Sequence, residues 1–163
     1  MIWALGYDHA GFPLAEHLAQ HLTNLGDRCI HYGPAAPMPA VDYAPFCIAA
    51  ALEVVNGEAD YGIVIGASAQ GEQIAANKVK GVRAALVTDV HFAKLARRDN
   101  DANIIALPGR IIAKEYAVEI LSVWIQTQFE GGRHARRLND IKLFEEGLLD
   151  LKATKPRSGD REQ

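Results

Sequence analysis

Tyr61-Gly62-Ile63-Val64-Ile65-Gly66-Ala67-Ser68-Ala69-Gln70-Gly71-Glu72 is an apolar run that ends at a glycine and then turns polar. Tyr61 to Ile65 has the length and β-branched content of a strand buried on both faces. The turn Gly66 to Gly71 leads into a helix that opens near Glu72. The same alternation continues in both directions. Ile2 to Gly6 is a short apolar strand ending in the polar turn Tyr7-Asp8-His9-Ala10-Gly11, and Arg28 to Tyr32 is a second strand. Between them Pro13 sits where a first-turn proline is tolerated, and Leu14, Leu18, Leu22 and Leu25 recur at helical spacing. Gly26 suits the position just beyond that helix.

After a proline-containing loop, Gly33 to Ala40, a helix is expected from about Ala44 to Val55, stopped near Asn56-Gly57. Strands are expected at Val82 to Val87 and Ala102 to Leu107, with a helix around His91 to Arg98 between them. Ala113 to Gln128 is amphipathic. A basic stretch, Gly131 to Arg137, precedes a last helix from about Leu138 to Leu151. Residues 1–151 read as one domain, and 152–163 as a polar tail expected to be disordered. Strands alternating with helices, each strand apolar throughout, predict an α/β parallel sheet covered on both faces. Ligands of such sheets bind beyond the carboxyl ends of the strands, near a switch point. The Asp8-His9 turn and the Ser68–Glu72 turn both lie at such ends.

Composition narrows the function classes. Of 163 residues, 49% are hydrophobic and 23% charged, and the net charge of −3 gives no field that would attract nucleic acid or an acidic membrane surface. An anionic ligand therefore needs a local cluster of cations. No apolar run approaches the ~20 residues of a membrane span. The N-terminus reads as a core strand, not a signal peptide, so a cytoplasmic protein is expected. Cys29 and Cys47 are too few for a disulfide framework and are expected to be small buried residues. His9, His91 and His134 lack a partner at metal-ligand spacing, so no metal and no other cofactor is expected.

The turn after Ile65 carries the chemistry. A glycine-bearing loop between strand and helix aims several backbone N–H groups at one point, and the helix dipole reinforces them. By pattern alone this is a weak anion-binding signal, and it lacks the Gly-Lys-Ser/Thr ending of a P-loop. Glu72 adds a carboxylate beside those donors. A first-turn carboxylate is also favoured simply by the dipole. Yet base and donors together are what proton abstraction next to a carbonyl requires.

Gly62-Ile63-Val64-Ile65 followed by Gly71-Glu72-Gln73-Ile74-Ala75-Ala76-Asn77-Lys78 resembles the ribose-5-phosphate isomerase B family, which includes galactose-6-phosphate isomerase subunits. Gly6 to Gly11, Asp42-Tyr43, Asn100-Asp101-Ala102-Asn103, Gly109-Arg110 and Phe129 to Arg137 match further blocks in the same order, over about residues 1–145. The resemblance implies a doubly wound, Rossmann/flavodoxin-like fold of five parallel strands. It also implies a homodimer, with a tetramer as the larger alternative, sharing its active sites between subunits. Asp8, His9 and Tyr43 would contact the sugar. The amides of Ala67, Ser68, Ala69, Gln70 and Gly71 would form the anion hole, with Asn100 beside it. Arg110, Arg133 and Arg137 would hold the phosphate, the last two reaching in from the other subunit.

The chain also departs from the family pattern. Many members carry a cysteine base at the end of the third strand, where this chain has Gly66. It fits instead a subgroup that uses the glutamate of Gly-Glu-Gln, here Glu72. Two glycines common in the loop are Ala67 and Ala69, which require an adjusted backbone if either position needs φ > 0. Tyr7 replaces a small residue and either narrows the pocket or lies at the surface. Asp99 stands where the family has a histidine thought to open the furanose ring, and it can donate a proton only if its pKa is raised. The expected reaction is therefore aldose–ketose isomerisation of a small sugar phosphate, with Glu72 as base, Ser68 aiding the enediolate and Asp99 a candidate acid. Ribose 5-phosphate leads as substrate. Erythrose 4-phosphate competes, because it closes no furanose ring. A non-catalytic sugar-phosphate sensor and a nucleotide- or flavin-binding domain are the other classes.

Overall fold

A computed structural model describes residues 1–151, so the tail expected at 152–163 lies outside the described residues. Five strands, β1 (Ile2–Tyr7), β2 (Arg28–Tyr32), β3 (Tyr61–Gly66), β4 (Ala84–Leu86) and β5 (Ile104–Pro108), alternate with α1 (Phe12–Asn24), α2 (Ala44–Val55), α3 (Gln70–Ala76), α4 (Val90–Asn100), α5 (Lys114–Gln126) and α6 (Arg133–Glu145). All pairings are parallel, in the order β2-β1-β3-β5-β4. From β1 the chain moves outward to β2, whereas β3 leads to the other half of the sheet. The switch point therefore lies between the ends of β1 and β3, with Tyr7 level with Ile65.

Alternating side chains divide the sheet between two layers. Trp3, Leu5, Tyr7, Ile63, Ile65, Ile105 and Leu107 pack under α1, α4 and α5. The opposite face carries smaller groups, including Ala4, Val64 and Ala106, under α2 and α3. There α2 sits close: a Cβ on Gly6 would come within 2.8 Å of Phe46 O and 2.9 Å of the Cys47 Cα. This approach brings the start of α2 to the switch point.

Most boundaries move by one or two residues from the sequence reading, and two elements, β4 and α6, change more. β4 holds three residues, not the six from Val82 to Val87. It is an edge strand whose outer amide and carbonyl at Ala84 are bonded by the Asn77 side chain, with Gln73 Nε2 adding a second donor to the carbonyl. α6 begins at Arg133, five residues before the expected Leu138, because Gly131 and Gly132 (φ 71° and 55°) turn the chain into it. It stops before Gly147 (φ 71°), not at Leu151. Cys47 is fully buried, but Cys29 is only half-buried because β2 is the other edge. Among the described residues no helix is long and apolar enough to cross a membrane.

Candidate active site

At the carboxyl ends of β1 and β3, backbone geometry fixes most of the candidate groups. Asp8 is 7% exposed, and its Oδ1 accepts from the amides of Ala10 (2.9 Å) and Gly11 (2.8 Å). Asp8 Oδ2 faces His9 Nδ1 at 3.7 Å, and Val41 N–H donates to that same nitrogen at 3.3 Å. The loop before α2 is thereby tied to the turn. Tyr43 caps α2 and lies against Gly71, where a Cβ would stand 2.5 Å from its hydroxyl oxygen.

Glu72 lies in the first turn of α3 and is 5% exposed. Its carboxylate fills the space over Gly66: a Cβ there would land on Oε1 and lie 2.8 Å from Oε2. A cysteine at position 66 and a glutamate in this rotamer are mutually exclusive. Burial holds the Glu72 pKa above its usual value; a hydrogen bond from its own backbone amide opposes this, and the negative charge of Asp8 adds to it. Nearby Cys47 is no substitute base, because burial with the charges of Glu72 and Asp8 pushes its thiol far up.

The loop between β3 and α3 is held from both sides. Gly109 N–H donates to Gly66 O (2.8 Å) and Arg110 N–H to Ala67 O (3.1 Å), which ties Arg110 to the same end of the sheet. Ser68 Oγ accepts from Gln70 N–H at 3.5 Å. Ala69 takes φ 58° and ψ 6°, so the left-handed conformation is kept without a glycine, at a cost of about 1–2 kcal/mol. Ala67 is not left-handed. Tyr7 does neither of the things expected of it. It is 3% exposed, faces the α1 layer and bonds His31 Nδ1 at 3.0 Å.

The remaining candidates lie elsewhere. α4 runs from the carboxyl end of β4 down to the start of β5, so Asp99 and Asn100 sit at the amino ends of the strands. Arg83, just before β4, donates to the Asn100 carbonyl (3.0 Å), which confirms that position. β5 alone spans five residues, so about 15–20 Å of sheet separates this cluster from Glu72. Within one chain, Asn100 is not beside the anion loop.

At this lower end Arg98 Nε donates to Asp99 Oδ1 (2.6 Å) and lies 3.6 Å from Glu130 Oε2. Buried His134 places Nε2 3.7 Å from Asp99 Oδ1, and Arg133 Nε donates to that nitrogen at 3.3 Å. The hydrogen bond from Arg98 holds the Asp99 pKa below the usual carboxylate range, helped by the charges of Arg98 and Arg133. An ionised Asp99 accepts protons and does not donate them. Asp99, Glu130 and His134 converge closely enough to resemble a metal site, yet the Arg98 guanidinium already supplies the positive charge between the carboxylates. Arg133 and Arg137 are exposed on α6.

Residues 3–141 match the family described as Ribose/Galactose Isomerase. The chain belongs to that family. Ribose-5-phosphate isomerase B of Escherichia coli is 37% identical over 143 residues, 88% of this chain and 95% of that protein. Its namesake in Mycobacterium tuberculosis H37Rv is 40% identical over 142 residues, covering 86% and 88%. Among solved structures, ribose-5-phosphate isomerase B of Clostridium thermocellum superimposes with a TM-score of 0.88 at 39% identity, covering 90% and 99%. The Mycoplasma genitalium enzyme, solved with bound ribulose-5-phosphate, gives 0.83 at 35%, covering 89% and 95%.

Membership of the ribose/galactose isomerase family frames what sequence reasoning missed. Arg98, Glu130 and His134 were not among the candidates, because their meeting depends on where α6 begins and how it meets α4. The signal available was His134 between two arginines at a helix start. The two-ended distribution of the candidates was readable in principle, since a helix leading into a parallel strand ends at that strand's beginning.

Proposed function

We propose that this protein interconverts an aldose phosphate and its ketose, ribose 5-phosphate and ribulose 5-phosphate, through an enediolate. One observation carries the reading: Glu72 presents a buried carboxylate with raised pKa over the bare backbone of Gly66, beside a loop of amide donors. A base tuned toward neutrality both takes and returns a proton efficiently. Glu72 removes the C2 proton while the amides of Ala67 to Gly71, with Ser68, stabilise charge on the enediolate oxygen. The O2 proton passes to O1, and Glu72 delivers the proton it took from C2 to C1, which gives the ketose. Asp8, His9 and Tyr43 orient the sugar, and Arg110 holds the phosphate from the same chain.

Asp99, Asn100, Arg133 and Arg137 contribute from a second copy. In a two-fold dimer the lower end of each chain meets the upper end of its partner, which gives two equivalent sites. Guanidinium forks suit this role, since they match phosphate oxygens and stay charged. The domain is taken to be residues 1–151. The ionised state of Asp99 favours a second reading, erythrose 4-phosphate as substrate, because that sugar needs no ring-opening acid.

The test is proton exchange in heavy water followed by NMR. The wild-type enzyme should incorporate deuterium at C2 of the aldose phosphate, and Glu72→Gln should not while still binding inorganic phosphate. Exchange retained in the variant removes Glu72 from the base role. A higher kcat/KM for erythrose 4-phosphate than for ribose 5-phosphate selects the tetrose.

A further inference from the structure

We infer that His134 is a positioning residue whose neutral imidazole accepts from Arg133 Nε and so aims the Arg133 fork at the substrate phosphate. The inference rests on the proposed role of Arg133 as a phosphate ligand. His134 is 5% exposed although it sits in the first turn of a helix whose neighbouring positions, Arg133, Ala135, Arg136 and Arg137, are all exposed. Its backbone amide is anchored on Gly131 O at 3.0 Å, so the ring has a fixed origin. Arg133 Nε donates to Nε2 at 3.3 Å, which requires a bare ring nitrogen. With Nε committed to His134, the two terminal amino groups of Arg133 remain to grip a phosphate. A long cation held at its Nε loses less rotamer freedom on gripping a phosphate.

Protonation reverses the arrangement. An imidazolium offers Nε2–H as a donor, cannot accept from Arg133, and repels its charge. The new donor has an acceptor waiting, Asp99 Oδ1 at 3.7 Å. The groups facing His134 are Asp99 and its partner Arg98 on α4, Glu130 on the connecting segment, and Arg133 on α6 itself. Asp99 Oδ1 is already held by Arg98 Nε at 2.6 Å, so the neutral ring is not needed as its donor. The device thus makes phosphate affinity, and not the proton-transfer step, depend on the state of His134.

The experiment measures kcat and KM for ribose 5-phosphate on the full-length enzyme from about pH 5 to pH 8, with inorganic phosphate binding titrated in parallel. His134→Gln supplies an amide oxygen that accepts from Arg133 at every pH. Substrate phosphate itself titrates near pH 6, so the comparison between wild type and His134→Gln is what isolates the histidine. The wild-type KM should rise about tenfold more than that of His134→Gln as the pH falls, the worth of one charge-assisted contact, with kcat moving much less. His134→Ala should raise KM about tenfold even at pH 8. Identical KM profiles for wild type and His134→Gln overturn the inference. So does a wild-type KM in a folded His134→Ala. If ribose 5-phosphate is not turned over at all, the proposed function fails, and the pH dependence of phosphate affinity in the same two proteins still decides the role of His134.

Discussion

The two ends of the sheet are built by different means. At the upper end, Asp8, the 67–71 loop and Glu72 are fixed by strand ends, backbone hydrogen bonds and glycines that admit no side chain. At the lower end, Asp99, Arg133 and Arg137 are carried on helices, and Arg98 and His134 tie Asp99 and Arg133 to one another. In the proposed reaction the upper end holds the reacting carbon to within fractions of an ångström, and backbone supplies that precision. The lower end is there proposed to grip the phosphate, for which charge and reach matter more than rigidity.

Damage to the upper end should be catastrophic for turnover. Glu72→Gln is expected to lower kcat by at least about 10⁴-fold, in line with loss of an essential base. The same change should stabilise the fold. The Glu72 pKa is raised in the native state, so its favourable contribution is complete below the unfolded value near 4.3 and is lost as pH rises through the native pKa. At neutral pH the wild type therefore carries a strained anion that glutamine removes. Thermal melts at pH 7 should show a higher Tm for the variant, and near pH 4 the difference should shrink. A lower Tm at pH 7 would mean that the carboxylate stabilises the fold.

Gly66→Ala is next in size. Its methyl group lands on the Glu72 carboxylate, so kcat should fall about 10²-fold or more, the cost of misplacing a reacting group by about 1 Å. At the lower end, Arg137→Ala should act mainly through KM, raising it by roughly tenfold for one lost phosphate contact. The smallest effect is expected at Ala69. Ala69→Gly relieves a left-handed alanine but adds chain entropy to the unfolded state, so the net gain should be under about 1 kcal/mol, read as a small rise in Tm.

Legibility in the sequence follows the same division. The strand from Tyr61 to Gly66 and the turn to Glu72 were readable because period and turn chemistry are local. So were the Asp8 turn and α2, whose limits Ala44 and Val55 match the expected ones. The occupation of the Gly66 space by Glu72 was not readable, since it needs the rotamer as well as the spacing. Tyr7 was misplaced because strand parity alone decides which layer a side chain enters, and it sent the ring under α1. The start of α6 was set too late: Arg133 to Arg137 reads as a basic loop until the glycines at 131 and 132 are seen to bend into a helix. That error hid the Asp99–His134 approach.

Mixing two inactive variants tests the division of labour most directly. Glu72→Gln disables the upper end and an Arg133→Ala, Arg137→Ala double variant disables the lower. Denatured together in equal amounts and refolded, half of the dimers should be hybrids, each with one intact site and one doubly damaged site. The account predicts recovery of about a quarter of wild-type turnover, as two-fold symmetry requires. Activity no greater than the sum of the separate variants would contradict it and place both ends of the chemistry within one chain.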